Sequence, residues 1–169
     1  MKHLFLTLAM MAGVALSTHA ASNWRAATES ELRNLIPARA PVEKEHIETE
    51  FRTASGITDG NGRYVAGVVL ITAGYAAEGK YSNFFITQVP LKVGELSLQP
   101  GEYVFGWSKK GDDSLDVKFY EAQSGKSLGT VEARRTSRSG SIQSFRISPP
   151  SERAVIQIGR FGMSYRLAE

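Results

Sequence analysis

The sequence contains no cysteine and only three histidines among its 169 residues. Without a thiol, the chain cannot form a disulfide, a thiolate zinc site, a cysteine nucleophile, or a cysteine-linked haem or lipid anchor. Its formal net charge of +3 is too small to indicate a polyanionic partner by itself. These absences exclude several common classes of enzyme and metalloprotein.

The first twenty residues have the pattern of a secretory signal peptide. A basic start and an apolar run from Leu4 to Leu16 precede small residues and a cleavage site after Ala20. The run is too short for a membrane-spanning helix, which needs about 20 apolar residues. We therefore expect residues 1–20 to be removed and the mature protein to be periplasmic or extracellular, with His46 as its one histidine.

Residues 21–41 are predicted to form a short helix followed by a linker. Thr28 and Glu31 have the spacing of a capping box, in which each side chain bonds the backbone amide of the other residue. Apolar residues follow at helical spacing until Pro37 ends the pattern. We expect this helix to pack on the rest of the protein, and the alternative is a tethered helix that binds a partner.

From residue 42 to residue 169 the apolar residues follow a period of two, which is typical of strands. Asp-Gly and Asn-Gly pairs at 59–62 predict a hairpin turn, and Pro90 marks an edge strand or a crossing between sheets. Turn signals recur at short intervals and predict about nine short strands. The predicted fold is mainly β, a single antiparallel β-sandwich or small barrel with one short N-terminal helix.

One segment carries a family resemblance. Residues 93–103 read V-G-x-x-x-L-x-P-G-x-Y, and a strand and the sequence D-V-K-F-Y follow. The pattern resembles a hairpin of uncharacterised exported bacterial β-sandwich domains, and it is similar to the L-x-P-G-x-Y turn of carboxypeptidase-regulatory-like, transthyretin-type sandwiches. In such a hairpin Leu98 and Tyr103 pack across the strands while Pro100 and Gly101 form the corner. The resemblance implies a sandwich in an envelope setting, and it implies neither an activity nor site residues.

Tyr103, Phe105 and Trp107 alternate along one predicted strand and therefore share one face. If that face points inward, the three rings belong to the core. If it points outward, they form a stacking surface for sugars or for a partner. Gly106 lies between two of them and indicates a bulge or the close approach of another backbone segment.

Arginine is concentrated in the last third of the chain. Arg134, Arg135 and Arg138 lie close together and are candidate contacts for the carboxylate or phosphate groups of acidic glycans or lipid headgroups. The alternative is that these arginines lie on outer strand faces and pair with neighbouring acids. An exported chain is not expected to bind nucleic acid.

No catalytic residue, metal ligand or cofactor is predicted. His46 has no second histidine with which to complete a zinc site, and we interpret it as an exposed residue at the start of a strand. Asp112, Asp113 and Asp116 could bind calcium or act as a pair of catalytic acids, but lysines surround them. A solvated, charged turn is the favoured interpretation.

The sequence thus favours an exported, non-catalytic binding or assembly module of the cell envelope, with an envelope protein, a glycan or a second copy of the chain as its partner. The alternative is a barrel-type carrier of a small apolar ligand. The aromatic residues expected to surround that ligand are Phe84, Phe85, Phe105 and Trp107. A carrier would show quenching of tryptophan by apolar dyes, whereas an assembly module would self-associate or remain with envelope fractions.

Overall fold

The computed structural model describes residues 23–137 and 142–167, so the predicted signal peptide and Arg138 lie outside the described residues. The described ranges contain one helix and thirteen strands. In chain order these are β1 (Arg25–Ala26), α1 (Glu29–Leu35), β2 (Arg39–Val42), β3 (Glu45–Thr58), β4 (Tyr64–Leu70), β5 (Asn83–Thr87), β6 (Leu91–Val93), β7 (Leu96–Leu98), β8 (Gly101–Lys109), β9 (Ser114–Glu121), β10 (Ser127–Arg135), β11 (Gln143–Ser148), β12 (Val155–Gly159) and β13 (Phe161–Leu167).

The strands form one antiparallel sheet that curls into a nearly closed barrel. Its main path runs β1-β3-β4-β5-β8-β9-β10-β13-β12-β11, with β2 beside β3, and β6 between β13 and β7. Strand β11 returns to β3, where the backbone amide of Ile147 donates a hydrogen bond of 2.9 Å to the Ser55 hydroxyl. The predicted class, mainly β and antiparallel with one helix, is confirmed for the described residues.

The interior of the barrel is filled by side chains. Alternate residues of β5, β8 and β9 point inward, and among them Phe85, Phe105 and Phe119 are fully buried. The Phe105 ring lies 5.0 Å from the Phe119 ring and 6.2 Å from the Phe145 ring, measured between centroids. These separations are those of aromatic rings in contact, so this part of the barrel is a packed core.

A second apolar cluster covers the outer face of β3, β4, β5 and β8. Leu32 and Ile36, from α1 and its C-terminal cap, are buried in this cluster together with Phe84 of β5. The helix approaches β3 closely, because a Cβ atom placed on Gly56 would lie 2.9 Å from the Leu32 side chain. The helix therefore packs on the sheet, and β4 and β5 are buried on both faces.

Residues 39–42 form strand β2, although the sequence predicted a linker as far as residue 41. Ala40 pairs with Ile47 of β3 in antiparallel register, and Ala40 and Val42 are buried in the outer cluster. Pro41 is compatible with this strand because β2 pairs on one side only, with β3. Burial of its alternate residues and pairing with β3 make this segment part of the sheet.

The Pro100-Gly101 turn joins two strands that do not pair with each other. Strand β7 pairs with β6, Leu98 opposite Leu91, whereas β8 pairs with β5 and β9. The turn is therefore a corner between two strands that are not neighbours in the sheet, and not the hairpin suggested by the sequence pattern. Tyr103 stabilises the corner by donating a hydrogen bond of 2.6 Å from its hydroxyl to the Gln99 carbonyl.

The predicted capping box is present at the start of α1, and it gives a pH-dependent contribution to stability. Hydrogen bonds from Arg25 and Thr28 lower the pKa of Glu31 to about 2, from an ordinary value of 4.5. Because the folded-state pKa is depressed, this stabilisation is present above pH 4.5 and is lost as the pH falls toward 2. We expect Glu31→Gln to lower the thermal midpoint at pH 7, with the difference from wild type shrinking below pH 4.5 in unfolding followed by circular dichroism.

The matched control for this experiment is Glu29→Gln, which removes an exposed i,i+4 ion pair with Arg33 on the same helix. This substitution should change the midpoint at pH 7 by less, because exposed pairs contribute little to stability. A Glu31→Gln difference that stayed constant from pH 7 to pH 3 would show that the carboxylate of Glu31 is not the titrating group.

Candidate ligand-binding site

One end of the barrel is open, and four neighbouring strands begin or end there. The register pairs Val69 of β4 with Asn83 of β5, and Asn83 with Phe105 of β8. Because alternate residues share a face, these positions point to the same side of the sheet as the inner core. The inward-facing residues nearest the opening on these four strands are Val69, Asn83, Trp107 and Leu115.

These residues form the floor and one wall of an open cavity of about 550 Å³, which we call the mouth cavity. The turn between β12 and β13 and the residues that lead into β11 form the opposite wall. The full lining is Val69, Ser82, Asn83, Trp107, Leu115, Ile142, Ser144, Ile158, Gly159, Arg160 and Phe161. Most of this surface is apolar, as in typical small-molecule sites.

Two exposed apolar side chains meet in the mouth cavity. Trp107 is 48% exposed and Ile142 is 56% exposed, and both line this cavity. In the described residues the only other large apolar side chain with comparable exposure is Ile71, which does not line it. A concave site that gathers exposed apolar side chains indicates binding of an apolar group.

Asn83 lies at the floor of the mouth cavity and is only 2% exposed. Its side-chain nitrogen Nδ2 has no hydrogen-bond partner among the described residues. A buried donor without a partner costs about 1–3 kcal/mol of stability. Asn83 therefore lines the cavity although burial of its amide lowers the stability of the fold.

The segment before β5 positions Asn83 by packing directly on β8. The Ser82 amide donates a hydrogen bond of 2.8 Å to the Phe105 carbonyl, and the Leu70 amide donates one of 2.9 Å to the Ser82 carbonyl. A Cβ atom placed on Gly106 would lie 2.1 Å from the Lys80 carbonyl oxygen. The close backbone approach that Gly106 indicated in the sequence is therefore present.

A charged cluster anchors the same segment from the other side. The Tyr81 hydroxyl donates a hydrogen bond to the Glu43 carboxylate, and Lys80 Nζ lies 2.8 Å from the same oxygen. The hydrogen bond from Lys80, and next that from Tyr81, lowers the pKa of Glu43. Glu43 is 37 residues from Lys80 and 38 from Tyr81, with no recognisable spacing, so sequence patterns could not identify this cluster.

The structure separates the three aromatic residues proposed as a binding surface. Tyr103 and Phe105 are buried in the inner core, and therefore they cannot form an exposed stacking platform. Trp107 lies on the same face of β8, two residues beyond Phe105, at the open end of the barrel where the inner core ends. The interpretation as core residues is thus correct for Tyr103 and Phe105, whereas Trp107 is exposed and lines the mouth cavity.

The aromatic residues expected to surround a carried ligand are not brought together either. Phe84 lies in the outer cluster, whereas Phe85 and Phe105 lie in the inner core, and all three are fully buried. The prediction of a ligand among these rings is wrong because they pack against other side chains. Of that set, only Trp107 lines the mouth cavity.

The two described arginines of the candidate anionic site are paired with acids. Arg134 Nε lies 2.9 Å from a Glu132 carboxylate oxygen, and Arg135 Nε lies 3.0 Å from one of Asp113. Arg135 also donates a hydrogen bond of 2.8 Å to the Asp112 carbonyl. This geometry agrees with the alternative of paired charges on the outer surface, and Arg138 lies outside the described residues.

The remaining titratable candidates lie in exposed positions. His46 is an exposed residue near the start of β3. Asp112 lies 3.1 Å from Lys109 in the solvated turn expected from the sequence, whereas Asp116 is a half-buried residue of β9 and lies 3.6 Å from Lys110. Within residues 23–137 and 142–167, no group of three or more metal-ligating side chains is close enough to hold an ion, and no helix has the length and apolarity needed to cross a membrane.

Fold and site together define a small antiparallel barrel with a filled interior and an apolar cavity at its open end. In comparisons with known proteins, the chain matches no family model, no curated protein and no solved structure. The function must therefore be argued from the chemistry of the site itself.

Proposed function

We propose that the mature chain is an exported, non-catalytic binding protein of the cell envelope that holds a small apolar ligand in the mouth cavity. The single observation that carries this proposal is the meeting of half-exposed Trp107 and exposed Ile142 in one cavity of about 550 Å³. The volume lies within the range of about 300–1,000 Å³ that is usual for small-molecule sites.

The ligand position differs from that of a hollow carrier. Because Phe85, Phe105 and Phe119 fill the interior, a ligand lies at the end of the barrel and does not enter it. One face of the ligand then packs on Trp107, and Phe161 and Ile142 cover it from the opposite wall. Burial of an apolar group against these side chains supplies the driving force at about 25 cal/mol per Å².

The lining of the mouth cavity favours binding over catalysis. Among the described residues that form it, none carries a carboxylate or an imidazole, which are the usual general acids and bases. Arg160 is the one charged lining residue, and it lies at the exposed rim. The site thus offers apolar contact area with few polar groups, which is the composition of a binding site.

Tryptophan fluorescence tests this proposal directly. The mature chain has two tryptophans, Trp24, which is buried, and Trp107, which lines the cavity. Titration with the neutral dye N-phenyl-1-naphthylamine should quench the emission of Trp107 and raise that of the dye. We expect Trp107→Ala to weaken dye binding about tenfold or more, since loss of a central tryptophan contact costs more than about 1.4 kcal/mol.

Ile71→Ala is the matched control, because it removes an exposed apolar side chain that does not line the cavity. This variant should bind the dye as wild type does. Wild-type protein that did not bind the dye, and that was instead retained by envelope fractions independently of Trp107, would contradict ligand binding and favour an assembly role.

A further inference from the structure

We infer that Asn61 is a site of spontaneous deamidation, at which the backbone nitrogen of Gly62 attacks the side-chain amide of Asn61 in the folded protein. The site lies in the turn 59–63 between β3 and β4. This inference is independent of the proposed function, because β4 begins beside the turn at Tyr64 and reaches the mouth cavity only at Val69. The turn and the cavity therefore lie at opposite ends of one strand.

The reaction needs no reagent other than water. The Gly62 nitrogen loses its proton and forms a bond to Asn61 Cγ, while the bond between Cγ and Nδ2 breaks and ammonia leaves. One water molecule then opens the cyclic imide. Attack of water at Cγ gives aspartate, and attack at the Asn61 backbone carbonyl carbon gives isoaspartate, through which the chain continues by way of Cγ. Because both reacting groups belong to one dipeptide, no entropy is lost in bringing them together.

The hydrogen bonds of the turn leave the attacking nitrogen free. The Asn61 and Arg63 amides donate hydrogen bonds of 2.9 and 3.1 Å to Oδ1 of Asp59. Such bonds are typical of a turn organised by an aspartate side chain. Among the described residues, no hydrogen bond involves the Gly62 amide or the Asn61 carbonyl. The peptide plane between Asn61 and Gly62 is therefore free to rotate into the geometry of attack.

The surroundings of this dipeptide are open. Asn61 and Gly62 are both exposed, and the Asn61 side chain makes no hydrogen bond with another described residue. A Cβ atom placed on Gly62 would have no neighbouring atom within 4 Å. Glycine itself has no Cβ atom that could shield its nitrogen. Both the nucleophile and the amide that it attacks are thus accessible.

The adjacent Asp59-Gly60 pair is held against the corresponding reaction. The Asp59 side chain is buried, and Arg63 Nε donates a hydrogen bond of 2.6 Å to its Oδ2. The Gly60 amide, which would be the nucleophile, donates a hydrogen bond of 3.1 Å to the Thr58 hydroxyl. An ionised, paired carboxylate is also a poor electrophile. The turn therefore directs the reaction to Asn61, although glycine follows both residues.

Mass spectrometry of tryptic peptides tests this inference. Trypsin releases Asn61 as the only asparagine of residues 53–63, and the controls Asn34 and Asn83 fall in other peptides. The mature protein is kept in water enriched in oxygen-18, which labels each new carboxyl group. We expect Asn61 to react at least about tenfold faster than either control, because α1 and β5 must open locally before their asparagines can react. Its rate should rise about tenfold from pH 7 to pH 8, because the attacking nitrogen must lose a proton.

A comparison with the urea-unfolded chain separates the structure of the turn from its sequence. If the turn is as open as described, the folded protein should deamidate at Asn61 within about threefold of the unfolded rate, whereas Asn83 should react far more slowly when folded. A folded-state rate at Asn61 that is more than about tenfold below the unfolded rate would overturn the inference, because the turn would then protect the residue.

Asn61→Ser is the variant that identifies the reacting residue. It removes the side-chain amide and leaves Asp59 and Gly60 in place, so residues 53–63 should no longer take up the label. Label that persisted in this peptide would lie on Asp59 and would contradict the assignment. In wild type, the labelled peptide should separate by chromatography into an aspartate and an isoaspartate form. A single aspartate form would exclude the cyclic imide and overturn the inference.

Discussion

Replacing Gly106 by alanine is expected to destabilise the protein by about 3 kcal/mol or more, at the upper end of the range for overpacked sites. A Cβ atom at this position would lie 2.1 Å from the Lys80 carbonyl oxygen. Because the contact is with backbone, rotation of a side chain cannot relieve it. Strand β8 and the segment before β5 must separate, which breaks the hydrogen bond from the Ser82 amide to the Phe105 carbonyl.

Urea unfolding followed by circular dichroism measures this effect, and Gly111→Ala is its control. Gly111 lies in an exposed turn, and a Cβ atom there would contact no atom within 4 Å. Its substitution should change the free energy of unfolding by less than about 0.5 kcal/mol. Lys80→Ala combined with Gly106→Ala should not restore stability, because the clash does not involve the Lys80 side chain. A near-neutral Gly106→Ala would contradict the close approach.

Phe105→Ala is expected to lower the free energy of unfolding by about 3–5 kcal/mol, as is typical of a fully buried phenylalanine. The Phe105 ring contacts three other rings, those of Phe85, Phe119 and Phe145, with centroid separations of 6.4, 5.0 and 6.2 Å. Removing it leaves a void that surrounding strands cannot close without disturbing the sheet. Chemical denaturation of wild type and variant provides the measurement.

In contrast to Phe105→Ala, Phe161→Ala should affect dye binding more than stability. Phe161 lines the mouth cavity and is only partly buried, so its loss should cost about 1 kcal/mol of stability while clearly weakening dye binding. Phe105→Leu, which keeps the core largely filled, should bind the dye as wild type does. If Phe105→Leu abolished binding and Phe161→Ala did not, the ligand would lie inside the barrel and the proposed site would be wrong.

The features that the sequence predicted well are those decided by residues close together in the chain. The capping box joins Thr28 and Glu31, which are only three residues apart in the sequence, and the structure contains it. The alternation of Tyr103 and Phe105 correctly placed these side chains on one face of a strand, and both are buried. Gly106 indicated the close approach of another backbone because no other residue type tolerates it.

The features that the sequence did not predict depend on which distant segments become neighbours. Strand β7 pairs with β6 and not with β8, since the corner at Pro100 carries the chain to a part of the sheet that is not next to β7. The mouth cavity gathers residues from seven strands and three connecting segments, and no local pattern encodes that arrangement. Asn83 did leave a detectable signal, because it is the one amide in an otherwise apolar, hydroxyl-terminated strand.

The two-sided burial of β4 and β5 has a consequence for the cooperativity of unfolding. Val65 and Phe85 point into the barrel, while Val68 and Phe84 point into the layer under the helix. Since the same strands supply both clusters, the outer layer cannot detach without exposing apolar surface on the sheet that holds the barrel together. The N-terminal helix is therefore energetically part of the barrel, and we expect the described chain to unfold as one thermodynamic unit.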